Sequence, residues 1–215
     1  KQYLSILGKT ILEHTLDQLL SFPKFKKIIV VISKEDDYFS DLDFSNHVKV
    51  EICQGGKERY DSVLNGLTHL KKLGAEDDAL VMVHDVARPC IKQVDLLNLY
   101  HSDSHTGAIL GLQVRDTMKR TDENGNIIKT VERNNLWHAL TPQMAGLDVL
   151  YKAISKSLAD GVNITDEASA LEYIGMSPKM VAGDPSNIKI TRPDDLALAQ
   201  AYLEKTLSAN ESSDV

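Results

Sequence analysis

The stretch that most constrains this chain is Leu80-Val81-Met82-Val83, an apolar run that stops abruptly at His84-Asp85-Val86-Ala87-Arg88-Pro89. Too short for a stable helix and rich in β-branched residues, it reads as a strand buried on both faces. In open parallel sheets, ligands gather outside the carboxyl ends of the strands, so Asp85 and Arg88 are the first candidates for a site.

The rest of the chain supplies neighbours to that edge. Thr10 is placed to cap an amphipathic helix carrying Ile11, Leu12, Leu16, Leu19 and Leu20. Strands are predicted at 27–33 and 48–53, a helix at 58–73, then the Leu80 strand, a helix at 94–101 and a strand at 107–114. Helices follow at 147–158 and 166–174, strands at 179–182 and 187–191, and a last helix from Pro193 to Leu207, with Ser208 to Val215 as a frayed polar tail. This alternation predicts one α/β domain over 1–215 with a doubly wound, mostly parallel sheet. One segment breaks the pattern. The turn signal Asp122-Glu123-Asn124-Gly125-Asn126, flanked by polar, β-tolerant residues, predicts a protruding hairpin arm within 115–133. With little apolar surface of its own, such a hairpin calls for a covering partner subunit.

Composition narrows the partners. Lys and Arg number 24 against 31 Asp and Glu, a formal charge of -7, which argues against a general nucleic-acid or membrane surface. Two cysteines, Cys53 and Cys90, are too few for a disulfide framework or a zinc pattern. No apolar run approaches the roughly 20 residues that a membrane crossing needs. The cytoplasm is the expected address.

Each candidate residue carries two readings. Gly55-Gly56-Lys57-Glu58-Arg59-Tyr60-Asp61-Ser62 joins a strand end to a helix start, where free amides favour an anion or a polar base edge. It can equally be a tight turn serving the helix. Asp85 can take sugar hydroxyls or a metal, and Arg88 a phosphate; the other reading is an internal Asp85–Arg88 ion pair. The charges of Arg115-Asp116-Thr117-Met118-Lys119-Arg120 read first as a solvated face. Trp137, in the return from the hairpin, reads as a packing anchor. Thr165 reads as a helix cap, and Lys189, in an otherwise apolar strand, either points inward to an anion or outward to solvent.

Taken in order, K-Q-Y-L at Lys1, G-G-K-E-R-Y-D-S-V at Gly55, H-D-V-A-R-P at His84, V-R-D-T-M-K-R at Val114, L-W-H-A-L-T-P-Q at Leu136, T-D-E-A-S-A at Thr165 and N-I-K-I-T-R-P at Asn187 span nearly the whole chain. Together they resemble the 2-C-methyl-D-erythritol 4-phosphate cytidylyltransferase family of the non-mevalonate isoprenoid route. That resemblance implies CTP and a sugar-alcohol phosphate as substrates, Mg²⁺ as cofactor, pyrophosphate as product and a homodimer built through the arm. It implies that Lys1 and Lys189 flank the reacting α-phosphate. Gly55, Gly56, Lys57, Ser62, Asp85 and Arg88 would bind CTP, with Asp85 near the ribose and the metal. Thr117, Arg133, Thr141, Thr165 and Lys189 would bind the substrate phosphate, some of them across the dimer. The sequence departs from the family at Lys57, where members often carry an acid. The family's glycine-rich loop and a central strand precede the position of Lys1, so the working polypeptide is expected to extend upstream. Two competing readings are a sibling enzyme acting on ribitol 5-phosphate and a nucleotide-binding protein of the same fold without turnover.

Overall fold

The computed structural model describes residues 1–102 and 106–211, with side chains through 208. It opens with a short antiparallel pair, β1 (Ser5–Ile6) and β2 (Lys9–Thr10), that delivers the chain into α1 (Ile11–Leu20). Thr10 starts that helix as expected. Its hydroxyl accepts from the Glu13 amide at 3.1 Å while the Glu13 carboxylate accepts from the Thr10 amide at 2.7 Å, so two otherwise orphaned donors are satisfied.

Two sheets follow. β3 (Ile28–Ile32) pairs in parallel with β4 (Val50–Gln54), from which the chain enters α2 (Arg59–Lys72). The larger sheet has the order β10-β6-β9-β5. It contains β5 (Leu80–Val83), then, after α3 (Gln93–Tyr100), β6 (Ala108–Gln113), and also β9 (Trp137–Gly146) and β10 (Lys179–Ala182). β9 runs antiparallel to both β5 and β6, and β10 runs parallel to β6. Three of the four strands therefore share one direction and β9 alone is reversed. Between β6 and β9 stands the hairpin of β7 (Met118–Thr121) and β8 (Ile127–Val131). The chain closes through α4 (Leu147–Ala159), α5 (Glu167–Tyr173) and α6 (Pro193–Glu211).

Strand alternation decides which helices cover which face. Val81 and Val83 pack with Leu67 of α2, Leu147, Leu150 and Ile154 of α4 and Leu171 of α5, whereas Met82 packs with Leu96 and Leu99 of α3 and Phe22 beyond α1. This two-sided cover is the doubly wound arrangement that the alternation predicted. α2 also lies against Val31 of β3, while Ile28, Val30 and Ile32 face Leu12 and Leu16 of α1. Each of the fully buried leucines contributes ~2 kcal/mol relative to exposure.

Three sequence expectations need correction. The Leu80 strand is less enclosed than a strand buried on both faces. Leu80 is 51 % exposed, and among the described residues β5 pairs with β9 alone and β3 with β4 alone. The predicted strand at 187–191 is an irregular segment, because one ladder bond holds it, from the Ile190 amide to the Ala87 carbonyl at 2.8 Å. The Thr191 and Arg192 amides turn instead to the Asp195 carboxylate, both at 2.7 Å, which starts α6. That helix runs past Leu207 to Glu211, into the stretch expected to fray; residues 212–215 lie outside the described residues.

Gly107, just before β6, has φ +95°, and a Cβ there would stand 2.8 Å from Leu171 Cδ1 and 3.0 Å from the Met144 carbonyl. Gly107→Ala is expected to lower stability by about 2 kcal/mol, from backbone strain and the clash with α5. For a chain of this length that moves the melting midpoint down by about 4–8 °C, readable by calorimetry.

Candidate active site

Asp85 follows β5 directly and gathers two cations. Lys189 Nζ lies 2.7 Å from Asp85 Oδ2, and Arg59 Nε donates to Asp85 Oδ1 at 3.3 Å. Arg59 also forks onto Glu167, with Nη1 and Nη2 at 2.7 and 3.1 Å from its two oxygens. The result is an alternating row of charges: Glu167, Arg59, Asp85, Lys189. Burial raises the Asp85 carboxyl's hold on its proton, but Lys189 and Arg59 outweigh that and keep it below the usual carboxylate range. Glu167 is 3 % exposed, and its burial pushes it upward against the pull of Arg59. Burial works against the Arg59 charge too, yet its two carboxylate partners prevail and strengthen it.

Beneath this row lies a hydrogen-bonded lattice built from three chain segments. The β6–β9 ladder slips between Ile109 and Gly111, with Leu140, Thr141 and Pro142 opposite Leu110 alone. Pro142 has no N–H to give, and such a bulge re-aims side chains. The Thr141 hydroxyl accepts from the Asp85 amide at 3.0 Å and lies 3.0 Å from His84 Nδ1. His84 Nε2 faces the Arg88 carbonyl at 3.2 Å, so Nε2 carries the proton and Nδ1 accepts from Thr141. Asn187 donates from Nδ2 to the Thr141 carbonyl at 2.8 Å, and its own backbone carbonyl accepts from Arg88 Nη1 at 2.7 Å. These bonds hold the 187–190 segment against the end of β5 and so bring Lys189 to Asp85.

A third region adjoins through α2, whose first residue is Arg59. The Gly56 amide donates to Ser62 Oγ at 3.1 Å, closing the loop on the helix. A Cβ on Gly56 would fall 2.3 Å from Asp61 Cβ, so this close return admits glycine alone without a shift. The loop lines one side of an open groove of about 490 Å³ with Ser33, Lys34 and Gln54 on its other walls. Polar rims of this kind suit a planar heterocycle.

The structure brings together Asp85, Arg88, Thr141 and Lys189, and it sets Gly55, Gly56, Lys57 and Ser62 at the groove. Lys1 is exposed, but Tyr3, two residues on, packs in the cluster that includes Val86. Thr117 and Arg133 lie exposed at the base of the hairpin, where Arg133 Nη1 donates to the Arg115 carbonyl. Thr165 is exposed one residue before the cap of α5 and is not that cap. Asp166 caps the helix, accepting from the Ser169 amide at 2.9 Å, because the chain becomes helical only at Glu167. The alternative Asp85–Arg88 ion pair does not form; Arg88 turns its guanidinium to the Asn187 carbonyl, and Asp85 pairs with Lys189 and Arg59. Lys189, 43 % exposed, sits in no strand. Sequence reasoning gave no role to Arg59 or Glu167. A glutamate in the first turn of a helix reads as a partner of the helix dipole, and nothing local marks it as buried.

Among the described residues no group of three or more His, Cys, Asp or Glu side chains converges on a metal position. Mg²⁺ commonly takes one or two carboxylates and completes its shell with substrate phosphates, so Asp85 fits as one such ligand beside a nucleotide.

A sequence model of the 2-C-methyl-D-erythritol 4-phosphate cytidylyltransferase family matches residues 1–205. Proteins of that name from Vibrio vulnificus and Haemophilus influenzae are 52 % and 49 % identical over 207 and 205 residues, 95 % of this chain in each case and 87 % and 88 % of theirs. The fold is similar to the crystal structure of the Francisella tularensis protein of that name, with TM-score 0.84, 38 % identity, and coverage of 94 % of this chain and 92 % of that one. The Thermus thermophilus structure gives TM-score 0.80 at 26 % identity, covering 95 % and 94 %.

Burial pushes the His84 imidazole down from 6.5 to about 4, against the hydrogen bond to Arg88 that raises it. Between those values the unfolded chain binds a proton that the fold refuses, so this contribution is whole above pH 6.5 and lost as the pH falls towards 4. Denaturant unfolding at stepped pH should show a loss on the order of 2 kcal/mol over that window, and His84→Asn should flatten it.

Proposed function

The chain belongs to the 2-C-methyl-D-erythritol 4-phosphate cytidylyltransferase family, and from that membership we propose that it transfers a cytidylyl group from CTP to 2-C-methyl-D-erythritol 4-phosphate in isoprenoid biosynthesis. A phosphate oxygen of the acceptor attacks the α-phosphorus of CTP, the bond from that phosphorus to the bridging oxygen breaks, and pyrophosphate departs with the electron pair. Such in-line displacement asks the protein for alignment and positive charge around the equatorial oxygens, with little covalent participation.

The observation that carries this reading is Lys189 seated on Asp85 at the strand end, joined through Arg59 to the helix that follows the glycine loop. Lys189 and Lys1 would meet the α-phosphate, with Lys189 exchanging its carboxylate partner for phosphate oxygen. Gly55, Gly56, Lys57 and Ser62 would hold the cytosine in the groove. Asp85 would serve the ribose, and Arg88 would anchor the strand end beneath it. Mg²⁺, bound through Asp85 and the nucleotide's phosphates, would offset charge on the triphosphate. Thr117, Arg133, Thr165 and Lys189 would bind the acceptor's phosphate, and Thr141, its hydroxyl engaged with Asp85 and His84, would support that site from beneath.

The arm supports a homodimer. Ile127 and Ile128 on β8 are 65 % and 62 % exposed on a two-stranded ribbon, which needs a cover to hold its shape in water. No helix among the described residues is long and apolar enough to cross a membrane.

Pyrophosphate release from CTP tests the reaction. It is expected with methylerythritol phosphate; release with ribitol 5-phosphate alone would transfer the assignment to the sibling activity, and silence with both would leave a nucleotide-binding protein. Lys189→Ala should lower kcat by about 10²–10³-fold, as loss of one charge-stabilising donor does, with CTP affinity changed less than about tenfold. In sedimentation, Ile127→Asp with Ile128→Asp should shift the dimer towards monomer and lower turnover with it.

A further inference from the structure

Arg59 and Glu167 are the two members of the charged row to which the reaction outlined above gives no role. The Arg59 guanidinium spends one edge on Glu167, with two bonds at 2.7 and 3.1 Å, and its Nε on Asp85 at 3.3 Å. Glu167 is nearly sealed from solvent, and a buried ion pair is seldom better for stability than apolar side chains of the same size. Glu167 is the buried member of the pair, while Arg59 is 37 % exposed and reaches past that contact to a second carboxylate. That carboxylate is Asp85, at the end of β5.

We propose that Arg59, oriented by Glu167, is a positioning residue for cytidylyl transfer: it fixes the Asp85 carboxylate by one oxygen so that Lys189 can leave the other for phosphate. The inference rests on the transferase reading. Lys189 occupies Asp85 Oδ2 and Arg59 occupies Oδ1, so the two cations do not compete for one atom. When Lys189 swings to a phosphate, Asp85 keeps a cation and its orientation. Without Arg59, Lys189 would be the carboxylate's single protein counter-ion and the swing would be opposed. The same planar group ties the first turn of α2, which follows the glycine loop, to the first turn of α5, which follows Thr165. Lysine cannot replace it, because one ammonium cannot reach both carboxylates in a forked geometry.

The test is steady-state kinetics with CTP and methylerythritol phosphate, beside thermal unfolding of the same samples. Arg59→Lys keeps a charge for Glu167 but gives up the bridge. It is expected to lose at least tenfold in kcat with the KM for CTP within threefold of wild type and a melting midpoint near the wild-type value. Glu167→Gln, which leaves Arg59 in place but releases its grip, should show the same split to a smaller extent, and it decides the matter should Arg59→Lys fail to fold. Wild-type kcat in a folded variant overturns the inference, as does a fall in kcat matched by an equal rise in KM. A wild-type protein that releases no pyrophosphate removes the transferase reading and this inference with it; an active wild type with an equally active variant removes this inference alone.

Discussion

The architecture around the site depends on one carboxylate shared by two cations. Asp85 stands where β5 ends, and each of its oxygens meets a different positive group. A carboxylate in that position is costly to enclose alone, because burial disfavours the charged form. With Lys189 on one side and Arg59 on the other it stays ionised, and each cation draws its own chain segment inward. The start of α2 and the irregular stretch at 187–190 both reach the strand end through this group, the latter also through the bonds of Asn187 and Ile190.

Charge alone would not give the site a shape. Below the ionic row, Thr141, His84, Asn187 and Arg88 interlock through neutral hydrogen bonds and through one guanidinium that donates to a carbonyl. Gln143 extends the scaffold to α5, accepting from the Ala168 amide at 2.8 Å and donating to Asp166 at 2.9 Å. The upper layer can exchange partners with an incoming anion while the lower one keeps its geometry. If Lys189 passes from Asp85 to a phosphate as proposed, that division of labour keeps the site's shape while it does so.

Much of this arrangement is legible in the amino-acid sequence, for reasons that differ by element. The two-sided apolar run at Val81 to Val83 and the Thr10 capping signal are local patterns, and both appear in the fold close to their predicted positions. The strand read at 187–191 fails because its alternation resembles a strand while most of its amides turn to near neighbours, Asn187 to the Asp184 carbonyl, Ile188 to the Ser186 carbonyl and Thr191 to the Asp195 carboxylate, which leaves Ile190 alone on Ala87. Arg59 and Glu167 go without a role for a different cause. One sits inside a glycine motif and the other in a helix turn, and each looks like an ordinary surface residue until the fold sets them together. Asp85 is visible because the abrupt end of an apolar run is itself a local signal. The identity of its partners is not.

Those partners are far apart along the polypeptide. Lys189 and Asp85 are separated by 104 positions, and Arg59 and Glu167 by 108, so each tie closes a loop of about half the chain. Closing such loops costs chain entropy before any contact repays it. A nascent chain that stops short of Lys189 would carry β5 and Asp85 without their ammonium partner. On the proposed reaction, competence therefore waits until residue 189 has been made, and any shorter chain lacks the ammonium group that Asp85 awaits.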